Sequence, residues 1–400
     1  MNTTSWITRI ALAACLASGC LPVLSQPQVI VPGVAEGTLG EEKPTFVSVS
    51  GFTGEAAEVI HFDLYVQGFA YTNAEAAQYL LSGSNDGNLR GLATDAVNKS
   101  ILVNQSYTGA SARRQAHAFV DDFLRKLNRI GIGHTQIAFK AEKGLASEIY
   151  IADFDGHGGQ AVTSDRVIVA APCWVPGRMG LYYTSYLQNH PDIFYQNVAT
   201  GARRVFARYG GCNINPAVSP DGSRVAMILS KDGWIDLYVG TSDGSTPLRL
   251  TKSPQDESSP CWSPDGQFIC YASKESERRS LSVIPAGGGK PQRLDTHGMP
   301  NPSEPDWSPD GNYIAFTSQS GSHFSICVMA APGRHEPSPT QLVEGEDPSW
   351  SPNSRTLIFA RRLGGKGNYV LSLLDVKTKQ VKDVSRISGI SSQSQPSWAK

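Results

Sequence analysis

Pro305-Asp306-Trp307-Ser308-Pro309-Asp310-Gly311, followed by Asn312-Tyr-Ile-Ala-Phe-Thr-Ser318, is the stretch on which the fold turns. Ser-Pro-Asp-Gly is a turn with a mechanism, because Pro presets φ and Gly accepts φ > 0. The Pro-x-Trp before it and the apolar run after it then read as two antiparallel strands. The unit recurs at Pro216–Gly222 and Pro260–Gly266, and at Pro348–Asn353 with Asn in place of Asp. A weaker copy starts at Pro172-Cys-Trp174, and Pro396-Ser-Trp398 is a truncated one. Successive prolines lie 44, 44, 45, 43 and 48 residues apart. That period is the length of a four-stranded propeller blade, about 40–45 residues.

Third strands follow, such as Ile235–Val239 and Phe324–Val328, then Gly-rich turns such as Ser242-Asp-Gly244 and Ala286-Gly-Gly-Gly289. Short fourth strands close each unit, for example Leu248–Thr251 and Gln292–Leu294. Five units begin at 172, 216, 260, 305 and 348. The stretch Ile137–Thr163 carries strands two to four of a further unit without an opening Pro-x-Trp, and Pro396-Ser-Trp398 is that missing strand. The expected fold is therefore mainly β: a six-bladed β-propeller whose C-terminal strand closes blade 1 and leaves no open sheet edge. Trp174, Trp262, Trp307, Trp350 and Trp398 are expected to pack between blades, with Val218 in the place of Trp in its own blade.

Residues 1–25 read as a signal peptide, 26–44 as a mobile tail, 45–130 as a small α/β domain and 131–400 as the propeller. Met1–Arg9 is a polar start and Ile10–Ala17 an apolar run too short to span a bilayer. Two processing routes stand open: cleavage after Ser25, or lipidation of Cys20. In the α/β domain we expect strands at Thr45–Val49, Ala77–Ser82, Leu89–Asp95 and Ile101–Tyr107, and a helix over Glu55–Val66. A second helix is capped by Ser111, carries Ala116, Phe119, Val120, Phe123, Leu127 and Ile130 on one face, and stops at Gly131.

Composition narrows the function. Basic and acidic residues number 35 and 36, a net charge of −1, so no nucleic-acid partner is expected. The seven cysteines include no C-x-x-C pair, which argues against a zinc knuckle or a thioredoxin-like site. The five beyond the signal are read as small buried hydrophobes. Asp153-Phe-Asp155-Gly156 resembles part of a calcium loop, yet it lacks the closing Glu and fills a hairpin-turn position. The residues between Pro and Trp are Cys173, Ala217, Cys261, Asp306, Ser349 and Ser397; a single charge among six does not build a metal centre. No catalytic, cofactor or metal residue is therefore expected, and a catalytic or small-ligand site in the channel is the alternative reading. In a closed propeller the loops entering the innermost strands converge on the axis. Asn213, Asn215, Glu257, Ser259, Ser303, Glu304, Glu346, Asp347 and Gln395 would form one concave rim suited to a protein partner.

Four features together resemble the TolB family, the periplasmic component of the Tol–Pal system of Gram-negative envelopes. They are a signal followed by Gln28-Val-Ile-Val31, the pair Gly68-Phe69, Arg113-Arg-Gln-Ala-His117 leading into a helix before the first blade, and Pro-x-Trp-Ser-Pro-Asp-Gly blades closed by a terminal Pro-x-Trp. The resemblance implies a monomeric periplasmic adaptor, peripheral to the outer membrane. It would link a TolA-like inner-membrane protein to a Pal-like peptidoglycan-associated lipoprotein and support outer-membrane integrity, cell division and protein import. It also implies that the tail, here Gln28, Val29, Ile30 and Val31 within Gln26–Gly33, meets TolA, and that the rim meets Pal. Two departures stand out: the α/β domain is shorter than usual, and Val175-Pro-Gly-Arg178 replaces Ser-Pro-Asp-Gly in blade 2.

Overall fold

The computed structural model describes residues 39–109, 111–334, 339–364 and 367–400. The expected signal, both processing routes and Gln28–Val31 lie outside them.

The chain begins with β1 (Thr45–Ser50), α1 (Gly54–Tyr65), β2 (Phe69–Tyr71), β3 (Tyr79–Ser84), β4 (Leu89–Asp95), β5 (Ile101–Tyr107) and α2 (Ala112–Lys126). The sheet order is β2-β1-β3-β4-β5; β1 is parallel to both its neighbours, and the β3-β4-β5 pairs are antiparallel. Alternation in β4 turns Leu89, Gly91 and Ala93 toward α2. Gly91 is required there, because a Cβ would stand 2.3 Å from the Phe119 ring. Ser111 caps α2 as expected, its hydroxyl accepting from Arg114 N–H at 3.3 Å. The helix ends earlier than the sequence pattern suggests. Asn128 takes φ +57° and Arg129 N–H turns back to the Leu124 carbonyl, so an Asn C-cap stops the helix before Gly131. Ile130 consequently leaves the apolar face and is exposed.

The propeller has six four-stranded sheets. Blade 1 is Ser392–Trp398, Gln136–Lys143, Ala146–Asp153 and Gln160–Ala161, so the C-terminal strand pairs antiparallel with Gln136–Lys143 and closes the ring. The other innermost strands are Val169–Trp174, Asn213–Val218, Asp256–Trp262, Pro302–Trp307 and Glu346–Trp350, in blades 2 to 6. In the turns that follow, Ser219, Ser263, Ser308 and Ser351 hydroxyls each donate at 2.5 Å to Asp221, Asp265, Asp310 and Asn353. Hydrogen bonds from Ser219 and Ser223 hold the Asp221 carboxyl down to about 2, as turn chemistry predicts. Asp153–Gly156 is likewise a turn, in which Phe154 is buried and Asp155 is engaged by Arg113 and His117.

All five motif tryptophans are buried. Trp262 Nε1 donates to the Ala217 carbonyl one blade back at 2.9 Å, and Trp350 Nε1 to that of Asp306 at 3.1 Å. Among the described residues Cys173, Cys212, Cys261, Cys270 and Cys327 form no disulfide. Burial pushes the Cys173 thiol up to about 11 and that of Cys327 to about 12, which leaves little thiolate at neutral pH.

The described residues form one compact unit. The α/β part meets the propeller at the ends of blades 1 and 6 that carry the turns after strands one and three. Gly40 N–H bonds the Val376 carbonyl, Gln380 Nε2 the Phe69 carbonyl, and Gly156 lies against Ser385. The opposite face, with the turns after strand two and the loops into strand one, is the open face.

Candidate partner-binding channel

The residue before each motif proline adopts the left-handed conformation: Ala171 (φ +49°), Asn215 (+51°), Ser259 (+49°), Glu304 (+52°), Asp347 (+57°) and Gln395 (+50°). None is glycine, so each conformation is strained by roughly 1–3 kcal/mol. The cause is a repeated bulge. In every innermost strand the register breaks at this residue and its proline, which has no N–H to give to the ladder. The six bulges ring the channel.

Side chains at these positions tie the ring together. Glu304 accepts from Asp347 N–H at 3.2 Å, Asp347 from Gln395 N–H at 3.0 Å, and Gln395 from Ala171 N–H at 2.9 Å. Ala171 cannot continue the relay, and Thr184 Oγ1 instead takes Asn215 N–H at 3.3 Å. A second belt runs through the residue between Pro and Trp. Cys173, Asp306, Ser349 and Ser397 accept from the backbone N–H of Val218, Trp350, Trp398 and Trp174, at 3.4, 2.7, 3.1 and 3.4 Å. Lys400 Nζ reaches past blade 6 to both oxygens of Asp306 at 2.8 Å. The sequence reading treated these positions only as absent metal ligands. The acceptor chemistry of Cys173, Asp306, Ser349 and Ser397 was the signal that would have revealed the belt.

The belts enclose a channel of about 580 Å³, walled by the six motif prolines. Burial, reinforced by the charges of Glu304 and Glu346, pushes the Asp347 carboxyl well above the ordinary range. Burial raises Glu346 as well. Both shifts favour the uncharged form of these two carboxyls.

The expected rim divides. Asn215, Ser259, Glu304, Asp347 and Gln395 line the channel, half-buried, and Glu346 flanks them. Asn213, Glu257 and Ser303 are buried and turned inward, so they do not present to solvent. Asn213 Nδ2 donates to the Pro191 and Tyr209 carbonyls at 3.1 and 3.0 Å, pinning the preceding loop. Asn213 and Glu257 stand two residues before Asn215 and Ser259, which an unbroken pleat would put on one face; the left-handed bulge at the second residue of each pair breaks that alternation and separates the two side chains.

The family model described as the TolB beta propeller domain matches residues 127–400. The Tol-Pal system protein TolB of Anaeromyxobacter dehalogenans strain 2CP-C is 30% identical over 302 residues, 64% of this chain and 68% of that protein. The TolB of strain 2CP-1 is 33% identical over 155 residues, 38% of this chain and only 36% of that protein. The crystal structure of TolB from Acinetobacter baumannii superposes with a TM-score of 0.79 at 22% identity, covering 91% of this chain and 98% of that one. The likeness in fold thus takes in the α/β part as well as the blades. This chain belongs to the TolB β-propeller family.

Proposed function

We propose that this chain is a non-catalytic periplasmic adaptor of a Tol–Pal envelope complex. It binds a Pal-like peptidoglycan-associated lipoprotein at the channel mouth and a TolA-like inner-membrane protein through Gln28–Val31, and it supports outer-membrane integrity and cell division. The supporting observation is the match to curated Tol-Pal TolB proteins across most of the propeller. The site chemistry agrees with binding rather than turnover. Glu304, Asp347, Gln395 and Asp306 at the channel are each engaged with a backbone N–H group. A mouth held rigid by two belts suits a partner, because little ordering is lost on docking.

On this reading Asn215, Ser259, Glu304, Glu346, Asp347 and Gln395 present to the lipoprotein. Asn213, Glu257 and Ser303 fix the loops behind them. The domain limits 45–130 and 131–400 serve as working boundaries for the two parts. The test is co-purification with a peptidoglycan-associated lipoprotein from the same envelope. Wild type is expected to retain the lipoprotein, E346K to lose it with an unchanged circular dichroism spectrum, and a chain lacking residues 26–33 to lose only the TolA-like protein. Undiminished lipoprotein binding by folded E346K would remove the mouth from the reading. Failure of wild type to bind either protein would remove the adaptor.

A further inference from the structure

The hairpins joining strands two and three are equivalent in all six blades and emerge together on the open face, yet their tips differ sharply. Blade 1 presents Leu145, 101% exposed; blade 2 presents Tyr186 and Leu187; blade 3 presents Trp234, 52% exposed. Ile168, 49% exposed, sits in the neighbouring loop, where its carbonyl takes Tyr186 N–H at 3.0 Å. The equivalent tips of blades 4 and 5 are Ser276-Glu277 and Gly321-Ser322, and Gly364 and Gly367 flank that of blade 6. Single exposed apolar residues are ordinary on any surface. Four at topologically matched tips of three adjacent blades, with Ile168 beside them and none at the described tip residues of the other three blades, form a patch.

The charges around the patch are biased. Lys143 and Arg166 are exposed beside Leu145 and Ile168, with no acidic partner among the described residues. Two nearby acids are neutralised, Asp165 by Arg203 Nη1 at 2.7 Å and Asp192 by Arg208 Nε at 3.0 Å, while Glu148 is taken up by the Thr163 hydroxyl and the Asp165 and Arg166 backbone N–H groups. Lys231 lies 3.6 Å from Asp232, next to Trp234 in the same turn. The patch is therefore apolar at its tips and net basic at its feet. It is also convex and discontinuous, made of separate hairpin ends rather than a groove. A folded protein partner needs a continuous complementary surface. A fluid bilayer flows around isolated tips, accepts Trp and Tyr at headgroup depth, and attracts flanking Lys and Arg when its lipids are anionic.

We infer that the tips of blades 1 to 3, centred on Leu145, Leu187 and Trp234, form a peripheral docking surface for an anionic lipid bilayer. The α/β part lies on the opposite face and does not obstruct it. This surface shares the open face with the channel mouth proposed for the lipoprotein but is made of different residues. The experiment is flotation of the purified full-length chain with protein-free vesicles, either phosphatidylglycerol with phosphatidylethanolamine or phosphatidylcholine alone. Wild type is expected to float with the anionic vesicles and much less with the zwitterionic ones. W234S/L187S is expected to bind about tenfold more weakly, and K143E/R166E to lose most of the salt-sensitive part. All four positions are exposed, so each variant should keep its near-ultraviolet dichroism. The inference is overturned if wild type stays with the soluble fraction, or if folded W234S/L187S floats as well as wild type. If flotation requires a lipoprotein reconstituted in the vesicles, the lipid surface is refuted and the adaptor reading stands.

Discussion

Asp306 holds Trp350 of the next blade at two points: its Oδ2 accepts the Trp350 backbone N–H at 2.7 Å, and its carbonyl accepts the indole N–H at 3.1 Å. The residue between Pro and Trp thus joins one blade to the next, which explains why polar acceptors sit in an otherwise apolar strand. D306A should orphan a buried N–H and cost about 1–3 kcal/mol. D306S keeps an acceptor of the kind found at Ser349 and Ser397, and should cost less. Its loss of the half-exposed Lys400 pair adds little. Urea unfolding midpoints in the order wild type, D306S, D306A are expected; equal midpoints for the two variants would dismiss the belt as a stabilising device.

Trp398 carries the closure of the ring. Its indole stacks on Phe154 with centroids 6.3 Å apart and donates to Thr135 Oγ1 at 2.8 Å, while its strand pairs with Gln136–Lys143. W398A should cost about 3–5 kcal/mol, the usual loss for a large buried aromatic. The effect should also be local. Amide exchange should rise first in Gln136–Lys143, where a sheet edge is freed, and last in blades 3 and 4. Uniform acceleration across all blades would mean that the closing strand is not the weak seam.

The blades were legible because their evidence is local. Pro, Trp and the Ser-Pro-Asp-Gly turn sit within seven residues of one another, and the orphan Pro396-Ser-Trp398 had one place to go. β2 was missed because Phe69–Tyr71 is three residues long and gains its identity only by lying parallel to β1. The end of α2 was misplaced because Asn128 reached the left-handed conformation before Gly131 could. The belts were out of reach for a different reason. Asp347 N–H and Glu304 are 43 residues apart, and Ala171 N–H and Gln395 are 224 apart. Such bonds depend on the bulge that turns each side chain toward the next blade, and no local pattern reports a bulge. The same ignorance placed Asn213, Glu257 and Ser303 on a surface, although all three are buried beside the bulge.

At the join between α/β part and propeller, His117 on α2 lies between two carboxylates. Its Nδ1 is 2.7 Å from Asp63 of α1 and its Nε2 is 3.6 Å from Asp155 of blade 1, which Arg113 also contacts. Burial alone would lower His117, but the Asp63 charge and hydrogen bond, with Asp155 behind them, raise it above its ordinary value. A folded value above the unfolded one means stability that is complete below about pH 6.5 and lost as pH rises through the folded value. Thermal midpoints of wild type should therefore fall from pH 6 to pH 9, and those of D155N should fall over a lower range. The imidazole resonances of His117, followed by NMR, would show a midpoint above 6.5; a midpoint below it would reverse the sign.

Glu257 supplies a second and separable titration. It is 2% exposed, Oε1 accepts from Ser253 Oγ at 2.9 Å, and Oε2 has no hydrogen-bond partner among the described residues. Burial, with smaller contributions from Asp236 and Asp256, pushes its carboxyl up to about 7. Near neutral pH an ionised Glu257 is thus an unpaired buried charge, and its protonated form is the better fit. Since the folded value again exceeds the unfolded one, stability is present below about pH 4.3 and declines as pH rises through 7. E257Q imitates the protonated side chain and removes the titration. It should match wild type at pH 5 and exceed it at pH 8 by about 1–3 kcal/mol, the cost of leaving a buried polar group unsatisfied. The comparison also bears on the site. Glu257 was expected to meet a partner, so if E257Q stabilises the chain at pH 8 and leaves lipoprotein binding unchanged, its role is internal. If E257Q instead weakens binding without altering the pH profile, the side chain faces outward in solution and the inward placement fails.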